Sequence, residues 1–189
     1  MKKHPVIILI LLIACLSCTK SSDKEAEFRI NGLDIYPLDI SGEMPQVAWV
    51  DSMKRTTYGF RMNLFTSIVK NAKYFDENEG SVSCRNGIKA IAITCSDSFA
   101  AGFPKGSLLN RRFANFIGSY SELGKIEDNG ALGVSRKFYP DYGKNPIPNY
   151  ADLLLMKAPQ WPGTYKFYVR LDLFDNTTLI DSTPPIKLY

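Results

Sequence analysis

A mainly β fold is predicted by short segments in which apolar and polar residues alternate between turn-forming residues. Residues 57–65 alternate in this way, and so do residues 164–174. The apolar face of the second segment comprises Tyr165, Phe167, Val169, Leu171 and Leu173. Because successive side chains of a strand point to opposite faces, this period of two is typical of a strand with one buried face. Short strands at near-regular spacing predict an antiparallel β-sandwich of the immunoglobulin-like type.

A hairpin is predicted in the N-terminal half of this sandwich. Residues 27–41 favour one or two strands ahead of the strand at 57–65. Residues 81–85 and 88–95 are rich in β-forming residues and flank Asn86-Gly87, a dipeptide common in two-residue hairpin turns. We therefore expect these two segments to pair with each other.

One short helix is predicted near residues 107–117. Ser107 could cap its first turn, and three apolar residues recur at helical spacing: Leu109, Phe113 and Phe116. Residues 118–150 are rich in glycine and proline, which predicts a loop-like stretch. Because so long a loop is unusual in a compact domain, short strands or a functional loop within it are the alternatives. The C-terminal third is predicted to contain strands at 151–156, 164–174, 178–180 and 186–188.

The first residues have the layout of an export signal. Lys2 and Lys3 precede an apolar run at 5–14, and a polar stretch follows from Thr19. The run is shorter than the ~20 residues that a bilayer-spanning helix needs. We expect residues 1–17 to be a lipoprotein signal peptide, residues 18–26 a flexible tether and residues 27–189 a single β-sandwich-like domain.

Two cysteines close the apolar run and are candidates for lipidation. Leu12-Ile13-Ala14-Cys15 resembles a bacterial lipobox at every position, whereas Cys18 departs from the pattern at its first position but is followed by a polar tail. We prefer Cys18, with Cys15 as the alternative. Several acyl chains on one cysteine anchor a protein firmly. The expected location is therefore the bacterial cell envelope, at the outer membrane, on either its periplasmic or its surface face.

Charge and histidine content exclude several classes of function. The net charge is +4, of which Lys2 and Lys3 supply two, and the other basic residues are scattered, so no nucleic-acid partner is expected. The single histidine, His4, lies in the predicted signal. The processed chain would then lack the histidine that most serine, cysteine and zinc enzymes need.

Cys84 and Cys95 are the two remaining cysteines, and the sequence leaves their state open. The expected compartment permits a disulfide between them. The predicted hairpin register instead places Cys84 opposite Lys89, and two buried free thiols are the alternative.

Candidate ligand contacts are Trp49 and Trp161, which, together with the tyrosines, could stack on sugar rings. Trp161 lies in a proline-rich turn, where a large side chain is either exposed or a plug beneath the loop. An acidic segment at 76–80 offers Asp76 and Asn78 as calcium ligands, although it lacks the spacing of an EF-hand, and a solvated turn is the alternative. No other metal and no cofactor is expected.

Two functions follow from these observations. The main hypothesis is a non-enzymatic envelope lipoprotein that binds a protein or a glycan. The alternative is a carbohydrate-active hydrolase that uses an Asp/Glu pair, for which the sequence offers Asp97, Asp141, Asp152 and Asp172 at spacings that define no dyad.

A family resemblance rests on the lipobox, on Ile91–Phe99 leading into Pro104–Asn110, and on Pro162–Phe167. Together they resemble a family of uncharacterised Bacteroides-type lipoproteins with a domain of unknown function. The resemblance covers most of the chain after the signal. It implies export and a largely β fold, and it carries over no activity.

Overall fold

The computed structural model describes residues 25–70, 81–116, 121, 123–126 and 149–189. The predicted signal, with Cys15 and Cys18, lies outside these residues, as does the acidic segment with Asp76 and Asn78. The described chain is mainly β and its strands pair mostly antiparallel, which confirms the predicted class. The strands are β1 (Glu25–Asp39), β2 (Gln46–Val47), β3 (Ser52–Met53), β4 (Tyr58–Lys70), β5 (Ser81–Cys84), β6 (Ile88–Cys95), β7 (Phe113–Phe116), β8 (Leu123–Lys125), β9 (Asn149–Leu155), β10 (Gly163–Tyr165), β11 (Phe167–Leu173), β12 (Thr178–Ser182) and β13 (Ile186–Leu188).

Three sheets are formed by these strands. The largest has the order β2-β1-β4-β9-β7-β8, and β5 adds to β1 as a seventh strand. The smaller sheets have the orders β10-β13-β3 and β12-β11-β6. Among the strands of the described residues, two pairs are parallel, β1 with β5 and β13 with β3.

A single cluster of buried apolar side chains includes residues from all three sheets. Phe167 lies at its aromatic centre, with ring centroids 5.1 Å from Tyr58 and 5.7 Å from Phe113. The predicted inward face of residues 164–174 is confirmed, because all five of its apolar side chains are buried: Tyr165, Phe167, Val169, Leu171 and Leu173.

The predicted helix near 107–117 is wrong. Residues Asn110–Arg112 form only a 3-10 turn, and Phe113–Phe116 continue as strand β7. Phe113 is opposite Leu155 in the antiparallel pair of β7 and β9. Leu109 and Phe113 have helical spacing although they lie in different elements. Leu109 enters the core just before the 3-10 turn, and Phe113 enters it from the first position of β7. Pairing with β9 outweighs a weak helical preference.

The predicted hairpin across Asn86-Gly87 is also wrong. β5 pairs with β1 and β6 pairs with β11, so the two segments do not pair with each other. The Asn86 side chain is fully buried and accepts a hydrogen bond from Ile30 N–H while donating to Ile30 C=O, at 2.8 and 2.9 Å. The Asn86 side-chain amide thus bonds to the backbone of β1 in the way that a neighbouring strand would. These hydrogen bonds hold residue 86 against β1 and not in a hairpin turn between β5 and β6.

Candidate functional site

The outer face of the seven-stranded sheet carries the candidate site. On β4, Tyr58, Phe60, Met62 and Leu64 enter the core, so the residues between them face away from it. The register places Tyr36 of β1 opposite Arg61 of β4, and Arg61 opposite Asp152 of β9. Directly opposed residues of antiparallel strands share a face. Tyr36, Arg61 and Asp152 therefore form one row across three strands.

Arg61 is fixed at the centre of this row. Its Nε and Nη2 atoms donate to the two carboxylate oxygens of Asp152, at 2.7 and 2.8 Å. Its guanidinium carbon lies 4.1 Å from the centre of the Tyr150 ring. The hydrogen bonds to Asp152 raise the pKa of Arg61, against the effect of burial. A guanidinium held on both an aromatic face and a carboxylate has little rotamer freedom.

Trp49 extends the row beyond β1. It lies between β2 and β3, and its side chain is 78% exposed. The Trp49 and Tyr36 rings meet edge to face, with centroids 5.6 Å apart. The Tyr36 hydroxyl donates to Asp34 at 3.0 Å, and this hydrogen bond raises the pKa of Tyr36. We call Trp49, Tyr36, Arg61 and Tyr150 the aromatic row.

Flat, partly apolar ligands suit the chemistry of the aromatic row. An aromatic ring offers an apolar face for stacking, while the guanidinium of Arg61 and the carboxylate of Asp34 offer polar groups beside it. Tyr150 is 51% exposed, so an aromatic side chain is accessible at each end of the row. Tyr36 and Tyr150 lie on β1 and β9, two strand spacings apart across the sheet, roughly 10 Å.

Trp161, the second predicted aromatic contact, lies apart from the aromatic row. It belongs to the connection between β9 and β10 and is 46% exposed. Its carbonyl oxygen accepts a hydrogen bond from the Tyr165 hydroxyl at 2.8 Å. Among the described residues, no ring contact joins Trp161 to Trp49.

The two body cysteines are free thiols in the structure. Cys95 is buried and its Sγ lies 2.9 Å from the Asp97 carbonyl oxygen. Cys84 is half-buried and its Sγ lies 3.9 Å from Asn86 Oδ1. Burial raises the pKa of both thiols. Neither is activated as a nucleophile, since reactive thiols need a lowered pKa.

The candidate carboxylates are held in separate interactions. Asp97 accepts a hydrogen bond from Ser98 N–H, Asp152 is paired with Arg61, and Asp172 accepts from Thr178 and Arg170. Asp141 lies outside the described residues, as do the calcium candidates Asp76 and Asn78. Within the described ranges, no group of three or more His, Cys, Asp or Glu side chains is arranged to hold a metal ion.

Sequence reasoning identified Trp49 by number and the tyrosines only as a class. It did not single out Tyr36 or Tyr150, and it did not propose Arg61 as a site residue. The alternation of residues 57–65 places Arg61 on the face opposite the apolar one. Its position beside Tyr36 and Asp152 depends on the register between strands that are far apart in the sequence. A single sequence does not specify that register.

No helix among the described residues is long and apolar enough to span a lipid bilayer. Comparisons with family models, with curated proteins and with solved structures find no match to this chain.

Proposed function

We propose that this protein is a non-enzymatic glycan-binding module of the bacterial cell envelope, anchored by lipid at Cys18 or Cys15. The observation that carries the proposal is the aromatic row, with Trp49 78% exposed at its end. A tryptophan left this open to water has a large apolar surface that a ligand could cover.

The edge-to-face contact with Tyr36 supports a role for Trp49 in stacking. An interplanar angle of 72° leaves an indole face uncovered while it limits the ring's motion. The apolar face of a sugar ring matches such a surface, and the sugar's hydroxyls could bond to Asp34 and Arg61. Since Asp152 already holds Arg61, a ligand would meet a preformed group, which lowers the entropic cost of binding.

A sandwich of the immunoglobulin-like type is part of this proposal. One core shared by the seven-stranded sheet and the two smaller sheets supports a layered arrangement. In such a fold, a flat outer sheet face is available for ligands without disturbing the core.

The test is affinity gel electrophoresis of the purified protein against host and dietary polysaccharides. We expect at least one polysaccharide to retard the protein, and Trp49→Ala to weaken retardation about tenfold or more. Phe174→Ala is the matched control. Phe174 is also an exposed aromatic residue (66%), but it lies in the connection between β11 and β12. Loss on Trp161→Ala instead would move the site to the connection before β10.

Release of reducing sugar is measured in the same samples. Release that disappears when one Asp or Glu is replaced by Ala would overturn the binding function in favour of the hydrolase. If no polysaccharide is retarded or cleaved, a protein partner becomes the better hypothesis for the exposed aromatic residues.

A further inference from the structure

A second surface, a basic groove beside the start of β7, has no role in the proposed glycan site. One pocket of about 390 Å³ is lined by Phe103, Leu108, Arg111, Arg112 and Lys157. A second pocket of about 560 Å³ is lined by Arg111, Phe113, Ala114, Leu123, Lys125, Ile126 and Met156. Arg111 borders both, so the two pockets adjoin. Each has the size of a small-molecule site.

Positive charge is concentrated in the basic groove. Its described lining contains four cationic side chains and no carboxylate: Arg111, Arg112, Lys125 and Lys157. None of the ion pairs in the described chain involves Arg112, Lys125 or Lys157. Clustered like charges in a concave apolar setting repel each other and attract anions.

The position of Arg112 is fixed by contacts of both its backbone and its side chain. Its N–H donates to Leu109 C=O at 2.7 Å, and its C=O accepts from Met156 N–H at 2.8 Å. Its guanidinium carbon lies 4.2 Å from the centre of the Phe103 ring. Stacking on that ring leaves the edges of the guanidinium available to donate hydrogen bonds.

The loop that presents Phe103 has a defined shape. Phe99 N–H donates to Phe103 C=O and Phe103 N–H donates to Ala100 C=O, both at 2.9 Å. Gly102 and Gly106 adopt φ values of +81° and +80°, which side-chain-bearing residues rarely tolerate. The aromatic support of Arg112 is therefore built into the backbone.

The basic groove also has exposed apolar walls. Leu108 is 39% exposed and Met156 is 52% exposed. A purely ionic ligand would leave these side chains in water, whereas a ligand with an apolar body would cover them.

We propose that the basic groove is a binding site for an amphipathic anion, namely a phosphate, sulfate or carboxylate group on an apolar body of one or two rings. The anionic group binds Arg112 and Lys157, which line the same pocket. The apolar body contacts Phe103, Leu108 and Met156. This site is independent of the aromatic row.

The test is isothermal titration calorimetry of the full chain with 1-naphthyl phosphate as the probe. The matched ligands are 1-naphthylmethanol, which is neutral and carries no sugar, and inorganic phosphate, which has no apolar body. We expect the phosphate ester to bind about tenfold or more tightly than either, and its affinity to fall as salt is raised.

Substitutions inside and outside the basic groove test whether the phosphate ester binds there. Arg112→Gln and Lys157→Gln should each weaken binding of the phosphate ester several-fold, and Arg112→Lys should retain part of it. Lys187→Gln is the charge-matched control on β13, an exposed lysine outside the groove, and should have no effect. Trp49→Ala should bind the ester normally, so failure of the glycan proposal would not affect this one. Thermal unfolding of each variant verifies its fold.

Three results would overturn the proposal. They are equal binding of the neutral 1-naphthylmethanol, equal binding of inorganic phosphate, and unchanged binding by a folded protein that carries both Arg112→Gln and Lys157→Gln.

Discussion

Arg61 of β4 and Asp152 of β9 form a two-point ion pair across neighbouring strands, with N–O distances of 2.7 and 2.8 Å. The Asp152 side chain is only 5% exposed and that of Arg61 is 23% exposed. The pair is largely removed from water on a sheet face that also carries the exposed Trp49. The pair links β4 to β9, and it also fixes the orientation of Arg61 in the aromatic row.

Loss of this carboxylate should destabilise the fold. Asp152→Asn leaves a partly buried guanidinium without a charged partner, so we expect the free energy of unfolding to fall by roughly 1.5–3 kcal/mol. Urea denaturation measures the change. Asp172→Asn is the control, because Asp172 pairs with the exposed Arg170 at the surface, where such pairs contribute about 0–1 kcal/mol. Equal effects of the two variants would contradict the prediction.

The inward face of β11 should be essential to stability. Leu171 is fully buried in the shared core, and Leu171→Ala should lower the free energy of unfolding by about 2–5 kcal/mol, since it leaves a cavity. Ile180→Ala on β12 is the matched control, because Ile180 is 67% exposed. A loss below about 0.5 kcal/mol for Leu171→Ala, as at surface positions, would show that this face is not packed.

The hydroxyl of Tyr58 should be dispensable. Tyr58 is fully buried against Phe167, and its hydroxyl lies near Thr183 but makes no hydrogen bond of standard geometry. Burial raises the pKa of Tyr58. Because an unsatisfied buried hydroxyl costs about 1–3 kcal/mol, Tyr58→Phe should be as stable as the parent or more stable. Thermal unfolding tests this, and a clear loss of stability would reveal a hydrogen bond to Thr183.

Asp175 should contribute to stability in a pH-dependent way. A hydrogen bond from Thr177 N–H, with further contacts to Asn86 and Arg29, lowers the pKa of Asp175 from 3.8 to about 2. A carboxyl group whose pKa is lower in the folded chain stabilises it above the unfolded pKa. That contribution is lost as the pH falls from 3.8 through about 2.

The measurement for Asp175 compares melting temperatures above and below this window. Asp175→Asn should show a smaller drop in melting temperature than the parent over that pH range. Asp39→Asn is the control variant, because it removes the same charge from the protein as Asp175→Asn does. An identical drop for Asp175→Asn and the parent would exclude the linkage.

The alternation of residues 164–174 was sufficient to predict which side chains enter the core, because a strand's period of two is written directly in the sequence. The state of Asn86 was not predictable in this way. Its amide bonds to Ile30, 56 positions away, and only the folded chain brings the two residues together. Leu109 and Phe113 likewise had a helical spacing that local propensity could not distinguish from a turn followed by a strand.

In the candidate sites too, some residues could be recognised from the sequence and others only from the folded chain. Trp49 could be singled out because tryptophan is rare and its aromatic face suits a sugar ring. Arg112 could not, because its importance arises from stacking on Phe103 and from the basic side chains that the fold gathers around it.

The attachment of β1 to the C-terminal strands has a consequence for how the chain reaches its native state. Ile35 N–H donates to Asp181 and Arg29 bonds to Asp175, and each pair is 146 positions apart in the sequence. The β3–β13 pair also joins distant segments. Loop-closure entropy must be overcome before such contacts form, so we infer a high contact order and slow folding, on the order of milliseconds to seconds. Until β13 pairs with β3, the edge of β3 is open to pairing with other chains. Holding the nascent protein apart from its neighbours would therefore favour correct assembly.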